Sequence, residues 1–146
     1  MAAERRAEAT WEGSLFEGGG RVTLVSSGAA SDLAVSWPAR TEEPGGKTSP
    51  EELIAAAHAS CFAMSLSNIL AKNDTPPDRL DVGAMSSFEK RDAGFRLTRM
   101  HLDVAGSVPG VDAETFQSKA EEAKVACPVS NALANNVEIS LTANLK

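Results

Sequence analysis

The chain has 146 residues, 42% hydrophobic and 23% charged, which is ordinary globular composition, so we expect a single domain over residues 1–146. The formal net charge is −6 and no cluster of lysine or arginine is present. This balance argues against a nucleic-acid partner and against an anionic membrane surface. No apolar stretch follows the charged N-terminus, so we predict no secretory signal and a cytoplasmic protein. In that reducing compartment a disulfide is more often transient and catalytic than structural.

Short β-prone segments separated by glycine occupy the first third of the chain. We predict strands over 7–13, 21–26 and 33–37, with Gly18-Gly19-Gly20 as a turn, followed by a loop over 38–47. The clearest helix start comes next. Ser49 can cap the helix, Pro50 fits its first turn, and Glu52 lies three residues after Ser49, as in a capping box. The helix should run to about Lys72, before an Asn-Asp pair and two prolines.

The second half of the chain predicts a hairpin, two helices and a last strand. Strands over 80–91 and 94–107 flank a turn at Asp92-Ala93-Gly94, and Asp112 caps a helix that runs through Ala126. Pro128 breaks that helix and starts another to about residue 134, and strict alternation over 137–142 predicts a half-buried strand. The order βββ-α-ββ-α-α-β is that of an α+β domain.

The long helix over 53–70 is apolar on every side. His58 and several serines within it indicate a core helix rather than a membrane span. Because a helix that is apolar all round must be covered on all sides, we expect a homodimer with this helix at its centre.

The two cysteines, Cys61 and Cys127, are 66 positions apart, too far for a CxxC motif. Either could be a buried, inert side chain. Cys61 lies in mid-helix, so reactivity would need an imported cation, for which Arg40 in the preceding loop is the best candidate by type. Cys127 stands before Pro128, where unpaired N–H groups of the next helix favour a thiolate. From the residues alone, either cysteine could attack first.

Glu51 precedes Cys61 by ten residues, so on one straight helix the two are about 15 Å apart. If Glu51 serves the Cys61 site, either the helix starts later than predicted or a second copy of the helix, antiparallel across a two-fold axis, supplies it. A rival arrangement joins His58, Cys61, His101 and Cys127 as a Cys₂His₂ metal site, although their spacing matches no zinc-finger pattern.

Two long motifs, each centred on a cysteine, resemble those of the OsmC/Ohr family of peroxide-detoxifying proteins. They are SPEELIAAAHASCFAMSLS over 49–67 and AKVACPVSNAL over 123–133, and ATWEG over 9–13 and VPGVD over 108–112 extend the resemblance to nearly the whole chain. The His58-Ala59 step and the PARTE loop over 38–42 are more similar to the OsmC branch than to the Ohr branch.

The resemblance implies an antioxidant stress-response enzyme: an intertwined α+β homodimer with two central helices and active sites at the subunit interface. Its activity would be that of a two-cysteine peroxidase acting on organic hydroperoxides, and possibly on hydrogen peroxide, without cofactor or metal. By motif, Cys61 matches the peroxidatic cysteine, Cys127 the resolving one, and Glu51 the carboxylate that holds an activating arginine. That arginine matches Arg40, with Arg21 as the alternative.

The expected reductant is a dithiol or a lipoylated protein. Phe62, Met64 and Leu66 could wall an apolar substrate, although helix packing explains each of them as well. The alternative function is a non-catalytic dimeric stress or binding protein on the same scaffold.

Overall fold

The computed structural model describes all residues from Met1 to Lys146, which form two compact units, Met1–Leu53 and Ile54–Lys146. The predicted α+β class is confirmed, and the single-domain organisation stays a prediction.

The first unit is built on a three-stranded antiparallel sheet. Its strands, in the order β1-β2-β3, are Glu8–Glu12, Gly19–Thr23 and Leu33–Val35. Position 20 of β2 requires glycine, because a Cβ on this residue would lie 2.6 Å from the carbonyl oxygen of Thr10 in the paired strand β1. All three predicted strands are present, and β1 and β3 are shorter than predicted. The predicted turn at Gly18-Gly19-Gly20 is wrong for its last two residues, because Gly19 and Gly20 pair with β1 and begin β2.

A short helix that the sequence analysis did not predict follows β3. Helix α1, Trp37–Thr41, begins at Ser36, whose hydroxyl accepts a hydrogen bond from the Ala39 amide, and Pro38 sits in its first turn. The predicted third strand therefore ends two residues early, and part of the predicted loop is helical. A capping serine and a first-turn proline are the signals that could have located this helix.

Helix α2, Pro50–Lys72, has the predicted bounds and begins in the first unit. The Ser49 hydroxyl accepts from the Glu52 amide at 3.1 Å, as a capping box requires. The return bond is different, because the Glu52 carboxylate accepts from the Thr48 hydroxyl at 2.6 Å.

The second unit places a three-stranded sheet against helices. Strands β4 (Arg79–Arg91) and β5 (Gly94–Ser107) form the predicted hairpin, and β6 (Glu138–Leu145) pairs with β5 in parallel. A parallel neighbour needs a crossover connection. Helices α3 (Ala113–Ala126) and α4 (Pro128–Leu133) lie in that connection, and the Asp112 carboxylate caps α3 through the Thr115 amide at 2.7 Å.

The core of the second unit lies between α2, α3 and one face of the sheet. Its fully buried members include Phe62, Leu66, Leu70, Leu102, Val104, Phe116 and Cys127. Phe62 and Leu66 therefore serve packing, whereas Met64 is 68% exposed.

One side of α2 remains uncovered in the single chain. Its exposed positions in the second unit recur at helical spacing, and they are Ala56, Ala57, Ser60, Met64, Asn68, Ala71 and Lys72. By length and composition this helix could also cross a bilayer, a property that the core helices of soluble proteins share. This exposed side agrees with the expectation that a single chain cannot cover the whole surface of the helix.

Candidate active site

The fold brings the two cysteines together. Cys61 comes from the middle of α2 and Cys127 from the junction of α3 and α4, and their side chains are in hydrogen-bonding contact. Both are free thiols; Cys61 is half-buried and Cys127 is fully buried. Two thiols held in contact can be oxidised to a disulfide without a large rearrangement of the backbone.

Burial raises the pKa of the Cys61 thiol, and the neighbouring Cys127 raises it further, while a hydrogen bond from the backbone N–H of Val129 opposes both by favouring the thiolate. The net direction is upward. Within one chain, Cys61 therefore lacks the charge that would make it a thiolate at neutral pH.

The first-turn amides of α4 were expected to favour the thiolate of Cys127, but in the structure one of these amides lies near Cys61 instead. Cys127 occupies the capping position of this helix, but its side chain makes no capping hydrogen bond and is buried in the core. The first-turn amide of Val129 instead reaches Cys61. Sequence reasoning assigned these amides to Cys127 because it considered only the chain neighbour, whereas packing of α4 on α2 decides which sulfur they meet.

His58 lies behind the cysteines in a dry environment. It is fully buried one helical turn before Cys61, its Nε2 is 2.7 Å from the Ser130 hydroxyl oxygen, and its Nδ1 has no partner. Burial lowers the pKa of His58. The hydrogen-bond partner of this ring is therefore a side chain of α4.

The proposed Cys₂His₂ metal set is not assembled. No group of three or more His, Cys, Asp or Glu side chains in the chain is arranged to hold a metal ion. His101 points to the opposite face of the sheet, where it bonds to the hydroxyls of Ser140 and Thr142.

In the first unit Arg40 and Glu51 form a bidentate ion pair. The Arg40 Nε and Nη2 donate to the two Glu51 carboxylate oxygens at 3.1 and 2.6 Å. The Arg40 guanidinium also lies over the Trp37 ring, 5.5 Å from its centroid. Both side chains are largely buried, with 27% and 12% of their surfaces exposed. Arg21, the alternative, is exposed and donates instead to the Asp32 carbonyl.

An apolar pocket of about 310 Å³ adjoins Arg40 in the same unit. Its walls are mostly hydrophobic, and the lining residues are Trp11, Leu15, Val35, Ser36, Trp37, Arg40 and Pro50. Sequence reasoning missed this pocket, because its walls come from two strands, a turn, the unpredicted helix α1 and the first residue of α2.

The comparisons with known proteins agree with this architecture. A family model described as OsmC-like protein matches residues 43–142. Peroxiredoxin OsmC of Escherichia coli is 40% identical over 146 residues, which cover 100% of this chain and 99% of that protein. The organic hydroperoxide resistance protein of Xanthomonas axonopodis pv. citri is 30% identical over 127 residues, 86% of this chain and 87% of that protein.

Solved structures show the same fold. The organic hydroperoxide resistance protein OhrB of Bacillus subtilis superimposes with a TM-score of 0.74 and 26% identity, covering 97% of this chain and 98% of that one. An OsmC-like protein of Mycoplasma pneumoniae reaches a TM-score of 0.75 at only 15% identity. With a family model over most of its length, paired cysteines in the matching motifs and a relative of 40% identity, this chain belongs to the OsmC-like protein family.

Proposed function

We propose that this protein is a thiol-dependent peroxidase that reduces organic hydroperoxides to alcohols. The observation that carries the proposal is the contact between two free cysteines, Cys61 and Cys127, that the chain brings together from 66 positions apart. The names of the relatives, peroxiredoxin and organic hydroperoxide resistance protein, support it.

In the proposed reaction, the Cys61 thiolate attacks one oxygen of the hydroperoxide, the O–O bond breaks, and the leaving alkoxide takes a proton to become the alcohol. Cys61 is left as a sulfenic acid. The Cys127 thiol then attacks the Cys61 sulfur, which forms a disulfide and releases water. An external dithiol, for which a lipoylated protein is our candidate, returns both thiols by exchange, and no bound cofactor is needed.

The activating cation is proposed to come from a second copy of the chain. The pKa of Cys61 is raised in the single chain, so a positive charge must be brought to it. Helix α2 is continuous from Pro50 to Lys72, so ten residues of helix separate Glu51 from Cys61, about 15 Å. A homodimer that packs the open side of α2 against its symmetry mate would bring one protomer's Arg40–Glu51 pair to its partner's thiols.

The pocket beside Arg40 supports an organic substrate. Its tryptophan, leucine and valine walls suit an alkyl or aryl group, while the guanidinium can donate hydrogen bonds to the peroxide oxygens. Glu51 would hold that guanidinium in one orientation through its bidentate bond. A reducing compartment such as the cytoplasm would keep both cysteines as thiols between turnovers.

Thiol titration tests the reaction. One equivalent of cumene hydroperoxide should remove both thiols as an intramolecular disulfide. Cys61→Ser should abolish peroxide consumption, whereas Cys127→Ser should react once and then overoxidise. Unchanged thiols in the wild-type protein would leave the non-catalytic binding protein as the remaining function, and the reverse pattern in the variants would exchange the two roles.

Hybrid dimers test the shared site. Arg40→Gln and Cys61→Ser protomers are each expected to be inactive, but when they are co-expressed a hybrid dimer contains one complete site if Arg40 acts across the interface. Recovered activity is the expected result. If Arg40 acted on the Cys61 of its own chain, no hybrid would contain a complete site and activity would stay absent.

A further inference from the structure

The segment that carries Cys127 needs an external contact to hold it in place. Helix α4 has only six residues, too few for stability on its own. Within its own segment, the Asn131 amide donates to the carbonyl oxygens of Val125 and Cys127, both at 3.2 Å. These bonds shape the α3–α4 turn but do not fix where that turn lies against α2.

The side-chain hydrogen bond between His58 and Ser130 supplies such a contact. It joins α2 to the first turn of α4 at 2.7 Å, and both side chains are buried, at 0% and 4% exposed. His58 precedes Cys61 by three residues, and Ser130 follows Cys127 by three. On each helix the bond therefore lies about one turn from the reacting sulfur.

The unpartnered Nδ1 shows that a histidine at position 58 is not the most stabilising choice for this buried site. A buried polar nitrogen without a hydrogen bond destabilises the folded state, and an apolar side chain would fill the site without that cost. Since burial lowers its pKa, the imidazole is neutral at pH 7 and adds no cation to the thiol site. What remains for His58 to contribute is the bond to Ser130.

We propose that His58 and Ser130 are positioning residues for disulfide formation, their hydrogen bond holding the start of α4 against α2 so that Cys127 stays within reach of the oxidised Cys61. This inference rests on the proposed peroxidase function. The step it governs joins the Cys61 sulfenic acid to the Cys127 thiol and releases water. The competing step is attack of the sulfenic acid on a second hydroperoxide, which yields a sulfinic acid and another alcohol.

Loss of the hydrogen bond should shift the competition toward overoxidation. The experiment measures, by mass spectrometry of the full-length protein, the fraction of Cys61 that becomes sulfinic acid per turnover as the cumene hydroperoxide concentration rises. Ser130→Ala and His58→Leu should each raise that fraction about tenfold, since a shift of about 1 Å in a reacting group can slow a step by up to about 10². Ser140→Ala is the matched control, because it removes a serine hydroxyl that bonds to a histidine at the same 2.7 Å on the far face of the sheet.

A double variant separates positioning from loss of stability. Circular dichroism first establishes that each protein is folded at the assay temperature. If the two residues act through their shared bond, His58→Leu combined with Ser130→Ala should overoxidise no more than either single variant. Equal overoxidation of wild type, Ser130→Ala and His58→Leu would overturn the inference, as would additive effects in the double variant. Failure of the wild-type protein to form a disulfide would instead overturn the proposed function.

Discussion

The second unit contains two histidine–serine hydrogen bonds of equal length on opposite faces of its sheet. His58 to Ser130 and His101 to Ser140 both measure 2.7 Å. The first is sealed between α2 and α4, whereas the second lies on the open face, where Ser140 is exposed. The comparison teaches that the length of a hydrogen bond alone does not determine how much the bond contributes to stability. A buried polar group that loses its hydrogen-bond partner cannot form a bond to water in its place, whereas an exposed polar group can.

The largest difference between the two faces should come from apolar truncation. Phe116 is fully buried in the core, so Phe116→Ala should lower the free energy of unfolding by about 3–5 kcal/mol. Met85 pairs with His101 across the open face and is 64% exposed, so Met85→Ala should change it by less than about 0.5 kcal/mol. Urea denaturation of the reduced protein measures both, and equal effects would show that the face described as open is covered.

The two serines should differ next. Ser130→Ala leaves both nitrogens of the buried His58 ring without partners and should lower the free energy of unfolding by about 1–3 kcal/mol. Ser140→Ala exposes His101 to water, and that ring also bonds to Thr142, so a change below about 0.5 kcal/mol is expected. A larger loss from Ser140→Ala than from Ser130→Ala would contradict the comparison in the same urea assay.

Acid should sharpen the contrast. Because burial lowers the pKa of His58 in the folded protein, the unfolded chain takes up its proton first as the pH falls below 6.5, the ordinary pKa of histidine. The contribution of His58 to stability is therefore complete above pH 6.5 and decreases between that value and the lower, folded pKa. His58→Gln, which does not titrate, should remove this part of the pH dependence when midpoints of urea unfolding are compared from pH 7.5 to 5. An unchanged profile would mean that His58 is not kept neutral by burial.

The smallest effect belongs to an exposed ion pair at the edge of the sheet. Arg79 and Lys146 hold the pKa of the Asp81 carboxyl to about 2. A depressed carboxylate contributes stability that is present above its unfolded pKa of 3.8 and is lost as the pH falls through about 2. Carbon NMR titration should find the low midpoint, and Arg79→Gln should raise it without a measurable change in urea midpoint at pH 7.

The elements with strong local signals could be predicted from the sequence. Strand β5 matches its predicted bounds to the residue, and α2 follows the start signal at Ser49 and Pro50. Helix α1 was missed because five residues carry too little periodicity to detect. The parallel pairing of β5 and β6 was not predicted, since alternation locates a strand but does not identify its neighbour.

For the site, the sequence supplied the residues but not their environments. The motifs singled out Cys61 and Cys127 and paired Arg40 with Glu51, and the structure brings each pair together. Neither the Val129 amide at Cys61 nor the Ser130 partner of His58 could be predicted, because each depends on how a short helix packs against a segment some 70 positions away. The catalytic roles themselves stay predictions.

The parallel pairing of β5 and β6 also bears on how the chain must mature. Cys127 lies in the crossover between those two strands, 66 positions after Cys61, so the two sulfurs meet only through a contact between distant parts of the chain. Contacts this distant along the chain form slowly during folding. A newly made chain that has not completed the crossover carries Cys61 without a resolving partner. The protein is thus exposed to the oxidant it is proposed to destroy for as long as it takes to fold.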